Sequence, residues 1–296
     1  MSDTYKGYQQ TLLYSFDASL YKAVIINRPS KIIKSPFVSD IYINKENEEN
    51  EEIKENINLL GHCPSLGCCG LSEKNSVVLC SKLEGEKTKC HYRVELSIFR
   101  EKGEEIIIGT APKLAEYITF NALKNNLVQG LIASNIEREK KMMNSRFDFM
   151  GNDENGVKFI LEVKTVPLAT YANVDPKIYK KMDFSNIDPN NKIAYFPDGY
   201  RKNKNKPVSE RAIKHVNELA QIKKEQGSNV RCILLFVIQR TDITSFQPSR
   251  LDTHYLEAIR NAHKNGVEIK TIVVNWTRDG KCHFHKNDLH INLYYE

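Results

Sequence analysis

Two hydrophobic patterns divide the chain. Up to Gly103 the apolar residues come in short alternating runs, at 21–26, 37–43, 76–81 and 92–99, separated by Pro and Gly. Alternation over a few residues between turn formers predicts strands, and no three-and-four helical spacing occurs here. A small β-barrel over residues 1–103 is the economical reading. Within it, KENEENEEIKEN (45–56) sets six glutamates against two lysines and reads as a solvated acidic loop.

Beyond Gly103 the pattern changes. EEIIIGT predicts a strand, after which Pro112 opens a helix with Leu114, Ala115, Ile118, Ala122 and Leu123 on one face. Strands follow near 132–136, 146–150 and 157–166. A long loop (167–207) then leads to a helix over 209–225 with Ala212, Ile213, Val216, Leu219 and Ala220 aligned. RCILLFVIQ (231–239) is apolar throughout, as expected of a strand covered on both faces. A helix over 252–265, ended by Gly266, a strand over 267–275 and an edge strand at CHFHK (282–286) complete the series. The predicted domain, 104–296, is an α/β sandwich in the order α, β, β, β, α, β, α, β around a mixed sheet, so the chain as a whole combines α+β and α/β character.

The chemistry concentrates in SRFDFMGNDENGVKFILEVKTV, residues 145–166. Pairing apolar with apolar positions sets Phe147 opposite Val163 and Phe149 opposite Leu161. The hairpin then closes at Asp153 and Val157 around Glu154, Asn155 and Gly156, with glycine at the left-handed position of a three-residue turn. The same register sets Asp148 beside Glu162, with Lys164 two residues along the same face. Neighbouring carboxylates repel unless one is protonated or a cation lies between them. A hard divalent ion, Mg²⁺ or Mn²⁺, fits two carboxylates plus water and phosphate oxygens. Lys164 would then serve the attacking water or the charge that builds on phosphate. The plain alternative is the polar face of a hairpin, with Arg146, Asp148, Glu162 and Lys164 as mutual ion pairs.

Charge supports an anionic partner. Residues 1–103 carry 14 basic and 14 acidic side chains, so the whole net charge of +6 lies in 104–296. There Arg201, Lys202, Lys204, Lys206, Arg211 and Lys214 face one acid, Glu210, a field suited to a polyanion backbone or simply a solvated basic loop. With Arg146 these are the candidate nucleic-acid contacts. The longest apolar stretch, 233–238, is too short to cross a membrane, and the N-terminus has no export signal. Seven cysteines then read as reduced thiols in an intracellular, cytoplasmic or nuclear, protein rather than a secreted one. His62, Cys63, Cys68, Cys69, Cys80, Cys90 and His91 lack paired metal-site spacing and read as barrel thiols.

The segments SRFDF, LEVKTV, FPDG (196–199), SERAIKHVNEL (209–219), LLFVIQRTD (234–242), the F-x-P of Phe246 to Pro248 and LDTHYLEAIRNAHKNGVEI (251–269) resemble, in order, the motifs of the sugar fermentation stimulation protein family. NRPSKIIKSPFVSD, GHCPSLGCCGL and CHYRVEL extend the resemblance to the first part, with a character closer to eukaryotic or viral members. The resemblance implies an OB-type barrel followed by a PD-(D/E)XK nuclease-like domain, and DNA as partner. By motif, Asp148, Glu162 and Lys164 fall on nuclease-type positions, with the Val163 carbonyl as a further metal ligand. Asp198 and His215 match family motifs as site-lining candidates, and Glu116 is a candidate for the extra acid many such nucleases use. The long loop before FPDG and the insertion RKNKNKP depart from the bacterial pattern and bear on the rim of the site. A nuclease of low sequence specificity is the leading expectation. A DNA-binding regulator that keeps the fold without cleaving is its rival, and a barrel and acidic loop that recruit a protein partner is a third reading. Strand form, DNA versus RNA and oligomeric state, a homodimer included, stay open.

Overall fold

The computed structural model describes residues 11–43, 59–66, 70–85, 88–197 and 207–295. The first unit is built from β2 (Tyr21–Asn27), β3 (Val38–Ile43), β4 (Leu59–His62), β5 (Val77–Lys82) and β6 (Tyr92–Glu101). Their order is β4-β3-β2-β5-β6, and a parallel pairing of β4 with β6 closes the ring. This is the five-stranded connectivity of an OB-like barrel. Inward-facing Ala23, Ile25, Ile41, Cys63, Val78, Cys80 and Val94 fill it. The expected acidic loop lies outside the described residues. The five described cysteines, Cys63, Cys80, Cys90, Cys232 and Cys282, are free thiols.

The expected boundary after Gly103 falls inside a hairpin. Lys102 and Gly103 both have positive φ, 49° and 85°, and turn the chain so that β7 (Glu104–Gly109) pairs with β6 along the barrel sheet. The strand placed by pattern at the start of the second domain thus extends the sheet of the first. Conversely β1 (Leu12–Ser15) belongs to the second unit's sheet, where it pairs with β16 (Lys281–Lys286). CHFHK is therefore an inner strand, and β1 takes the edge.

The second unit is a seven-stranded mixed sheet, β1-β16-β15-β13-β10-β9-β8. Its remaining strands are β8 (Ser134–Met142), β9 (Ser145–Asn152), β10 (Lys158–Val166), β13 (Val230–Ile238) and β15 (Glu268–Trp276). β10, β13 and β15 run parallel. Helix α1 (Pro112–Lys124) and the barrel cover one face, where Leu114, Ile118 and Leu123 meet Phe149, Leu161, Leu235 and the barrel's Leu96. Helices α3 (Glu210–Gln226) and α4 (Thr253–Lys264) cover the other, where Val216, Leu219, Tyr255 and Ile259 meet Ile160, Leu234 and Phe236. β13 supplies alternate residues to both cores, as its unbroken apolar run requires. Ser209 caps α3 by accepting from the Ala212 N–H, and Asp252 caps α4 by accepting from that of Tyr255.

Two expectations need correcting. The loop 167–207 contains β11 (Ala169–Thr170), a short helix α2 (Pro176–Tyr179) and β12 (Lys192–Phe196). β12 joins β14 (Ile243–Pro248) and β17 (His290–Ile291) in a separate small sheet. Five residues with charged and aromatic ends gave β12 too little alternation to stand out. Second, Phe147 and Phe149 do not share a face. Phe149 packs under α1 with Val163, whereas Phe147 packs under α3 with Ile160. The β9–β10 ladder ends at Phe149↔Leu161, and beyond that point twist carries β9 away from its partner.

Candidate metal and nucleic-acid site

The β9–β10 hairpin has the turn its sequence predicts. The Asp153 N–H donates to the Val157 carbonyl (2.9 Å), the Gly156 N–H to the Asp153 carbonyl (3.0 Å), and Gly156 sits at φ 77°. At the opposite end the strands part. There the Val163 N–H donates not to backbone but to Asp148 Oδ2, at 2.7 Å. The gap between the diverging strands opens a cleft between α1 and α3. Asp148, Glu162, Val163 and Lys164 line it together with Glu116 of α1 and Arg211 of α3.

Glu162 is 3 % exposed. Its Oε1 accepts from Lys164 Nζ at 2.5 Å and contacts His215 Nδ1, while its buried Oε2 has no hydrogen-bond partner among the described residues. Burial alone would raise the Glu162 carboxyl, but Lys164 and His215 outweigh it and hold the group below its ordinary value. Asp148 is pushed the other way, up to about 7, first by burial and then by the charge of Glu162. Its neighbours thus favour the charged form of Glu162, while burial and that charge disfavour the charged form of Asp148.

The donor set suits a hard divalent ion. No group of three or more His, Cys, Asp or Glu side chains forms a ready cage among the described residues. The protein share is two carboxylates, one of them with an orphaned buried oxygen, and that incomplete set matches an ion that keeps several waters.

The other expected site residues divide. Glu116 reaches the cleft, held by Lys113, and His215 touches Glu162. Arg146, Arg211 and Lys214 line a second hollow beside the cleft, with Arg211 common to both. Asp198, Arg201, Lys202, Lys204 and Lys206 lie outside the described residues, as do Cys68 and Cys69. Sequence reasoning missed Ser65 of the barrel and Tyr195 and Phe196 of β12, which also line the cleft. Ser65 lies within GHCPSLGCCGL, and the aromatic pair directly precedes and enters FPDG, so both sat in segments already distinctive. Arg28 fixes the Ser65 loop by donating to the carbonyls of Pro36, Ser65 and Ser72 at 2.8, 2.7 and 3.0 Å.

An OB-like barrel is joined to a mixed sheet with helices on both faces, and Asp148, Glu162 and Lys164 meet where β9 and β10 part. The pattern described as "Sugar fermentation stimulation protein RE domain" matches residues 113–280. A sugar fermentation stimulation protein homolog of Clostridium novyi is 30 % identical over 244 residues, 81 % of this chain and 87 % of that protein. One from Clostridium perfringens strain 13 is 29 % identical over 258 residues, 86 % and 90 %. The chain belongs to the sugar fermentation stimulation protein family. The structure of Pyrococcus furiosus SfsA in complex with Ca²⁺ superposes with a TM-score of 0.68 at 17 % identity, covering 95 % of this chain and 99 % of that one, which establishes the shared fold. Among the described residues no helix is long and apolar enough to cross a membrane.

Proposed function

We propose that the chain is a divalent-metal-dependent phosphodiester hydrolase acting on DNA with little sequence preference. The observation that carries this reading is the orphaned Oε2 of Glu162, buried beside an Asp148 carboxyl that burial and the charge of Glu162 push up to about 7. Asp148, Glu162 and the Val163 carbonyl would hold Mg²⁺ or Mn²⁺. Such an ion polarises a phosphoryl oxygen and lowers the pKa of bound water. Binding of a divalent ion is also in keeping with the Ca²⁺ complex of the Pyrococcus protein. Lys164, on Glu162 and lining the cleft, would neutralise charge as it builds on a phosphate seated there. His215 orients Glu162 from behind. Glu116 stands as the additional acid, and Arg146, Arg211, Lys214 and the 201–206 cations would hold the backbone without reading bases.

A regulator that binds DNA without cutting it has one observation in its favour: Lys164 already pairs with Glu162, and His215 contacts the same oxygen, as in a structural polar cluster. Turnover separates the two. Labelled single- and double-stranded DNA and RNA are incubated with Mg²⁺, Mn²⁺ or EDTA, for the native chain, Glu162→Gln and Lys164→Ala. Metal-dependent cleavage lost in both variants, with binding retained, is expected. Binding without cleavage by the native chain would leave the regulatory reading.

A further inference from the structure

The second hollow adjoins the cleft through Arg211, which lines both. It is lined by Ser145 and Arg146 of β9 and by Arg211, Lys214 and His215 of α3, with Glu210 as its one acid. Three of these are cations in a chain whose basic excess lies wholly beyond Gly103. Ser145 is 6 % exposed, and its buried hydroxyl has no hydrogen-bond partner among the described residues. A buried hydroxyl left unpaired costs about 1–3 kcal/mol, so its persistence calls for a partner that binds. Lys214 rests on the Asn144 carbonyl at 2.8 Å, which anchors its ammonium over the hollow, and Arg146 is held by Glu139 at 3.2 Å. Arg211, exposed, makes no ion pair with the described residues and lines both the hollow and the cleft.

We infer that this hollow binds a second phosphate of the nucleic-acid strand, next to the one seated over Asp148 and Glu162. The inference rests on the proposed function and adds to it: the ligand is a chain of at least two phosphates that passes His215, with Arg211 bridging the pair and the Ser145 hydroxyl donating to the non-scissile one. A molecule with a single phosphate fills only one of the two places.

The test is binding in EDTA, where no cleavage occurs, so its outcome does not depend on catalysis. Fluorescence anisotropy of a labelled duplex, and of a single strand with and without a 5′-phosphate, is followed against salt concentration for the native chain, Arg211→Ala, Lys214→Ala and Ser145→Ala. Lys224→Ala, on the last turn of the same helix and about 15 Å away at 1.5 Å per residue, is the control. Each lost cation–phosphate contact should lower the slope of log affinity against log salt by about one. The expected result is that drop for Arg211→Ala and Lys214→Ala, weaker binding at unchanged slope for Ser145→Ala, and no change for Lys224→Ala. Dependence on the 5′-phosphate would identify a strand end as the occupant, and independence an internal phosphodiester. Slopes and affinities equal to those of Lys224→Ala, or no binding by the native chain, would overturn the inference. A native chain that binds with these slopes yet never cuts would refute the nuclease and keep the hollow.

Discussion

Replacing Asp148 with asparagine should make the metal-free protein more stable, and increasingly so as pH rises. Asp148 is held with its carboxyl at about 7 against an ordinary 3.8. A raised acid means that the folded state binds the proton more tightly than the unfolded one, so stability is fully present below the unfolded value and is lost as pH rises through the folded one. A shift of about 3 units corresponds to about 4 kcal/mol at pH 8, about 1.5 kcal/mol at pH 5 and under about 1 kcal/mol at pH 4. Asparagine keeps an oxygen to accept from the Val163 N–H (2.7 Å in the native chain) but carries no charge, so it escapes the loss. The stability gap between variant and native chain should therefore widen by about 1.4 kcal/mol per pH unit between pH 4 and 7, then level off. Urea unfolding in EDTA at half-unit pH steps measures it directly. Mg²⁺ should reverse the order at pH 8 by stabilising the native chain alone. A gap that does not change with pH, or a variant less stable than the native chain at pH 8 in EDTA, would refute the electrostatic account of the site.

Other expectations follow from the same structure. Lys192 is almost fully buried and bonds both Asp242 Oδ2 and Glu101 Oε2 at 2.8 Å, so Lys192→Met should cost about 1–3 kcal/mol in chemical unfolding, because the buried Asp242 keeps Arg240 but loses its second cation. Burial alone would raise the Asp242 carboxyl, but Arg240 and Lys192 hold it below its ordinary value. Its contribution is therefore present above the unfolded value and fades as pH falls through the lower folded one, so the effect of Lys192→Met should shrink in acid below about 3.8. Gly151→Ala places a Cβ 2.6 Å from the Ser134 carbonyl and 2.8 Å from the Phe159 ring, and should cost about 1–3 kcal/mol in thermal unfolding.

Much of the site was legible because turn chemistry and strand alternation constrain each other. Asp153, Gly156 and the pairing Phe149↔Leu161 fixed the hairpin from sequence, and Asp148 beside Glu162 followed. The error over Phe147 shows where that reasoning ends: alternation assigns faces only while the ladder holds, and here a side chain replaces the backbone as partner of the Val163 N–H. β13 and the three long helices announced themselves through uninterrupted or three-and-four apolar spacing. β1, β4 and β12, of four, four and five residues, did not, since so short a segment carries too few positions for a period. Ser65 was hidden for another reason. It enters the cleft through tertiary packing, its carbonyl held by Arg28 from β2's far end, and no local pattern encodes such a meeting.

That meeting bears on why the two units belong together. Glu101 on β6 of the barrel, Lys192 on β12 and Asp242 before β14 form one ionic group, buried but for Glu101, and Arg240 grips Asp242 with two bonds of 2.6 Å. Lys102, at the barrel hairpin, donates to the carbonyls of Phe184, Ser185 and Ile187, which anchors the segment leading to β12. β12 in turn delivers Tyr195 and Phe196 to the cleft. The barrel is thus a wall of the site rather than a tethered module. Rigidity built there is set against strain at the cleft itself. Of the seven buried side-chain atoms without a partner among the described residues, Ser145 Oγ, Glu162 Oε2, Glu218 Oε2 and Tyr255 OH belong to the α3 and α4 side of the sheet, and burial with the charge of Glu162 pushes the Asp148 carboxyl up. Polar groups left short of partners inside a well-packed fold call for a ligand or a partner, and Glu162 Oε2 is the one that lies at the cleft.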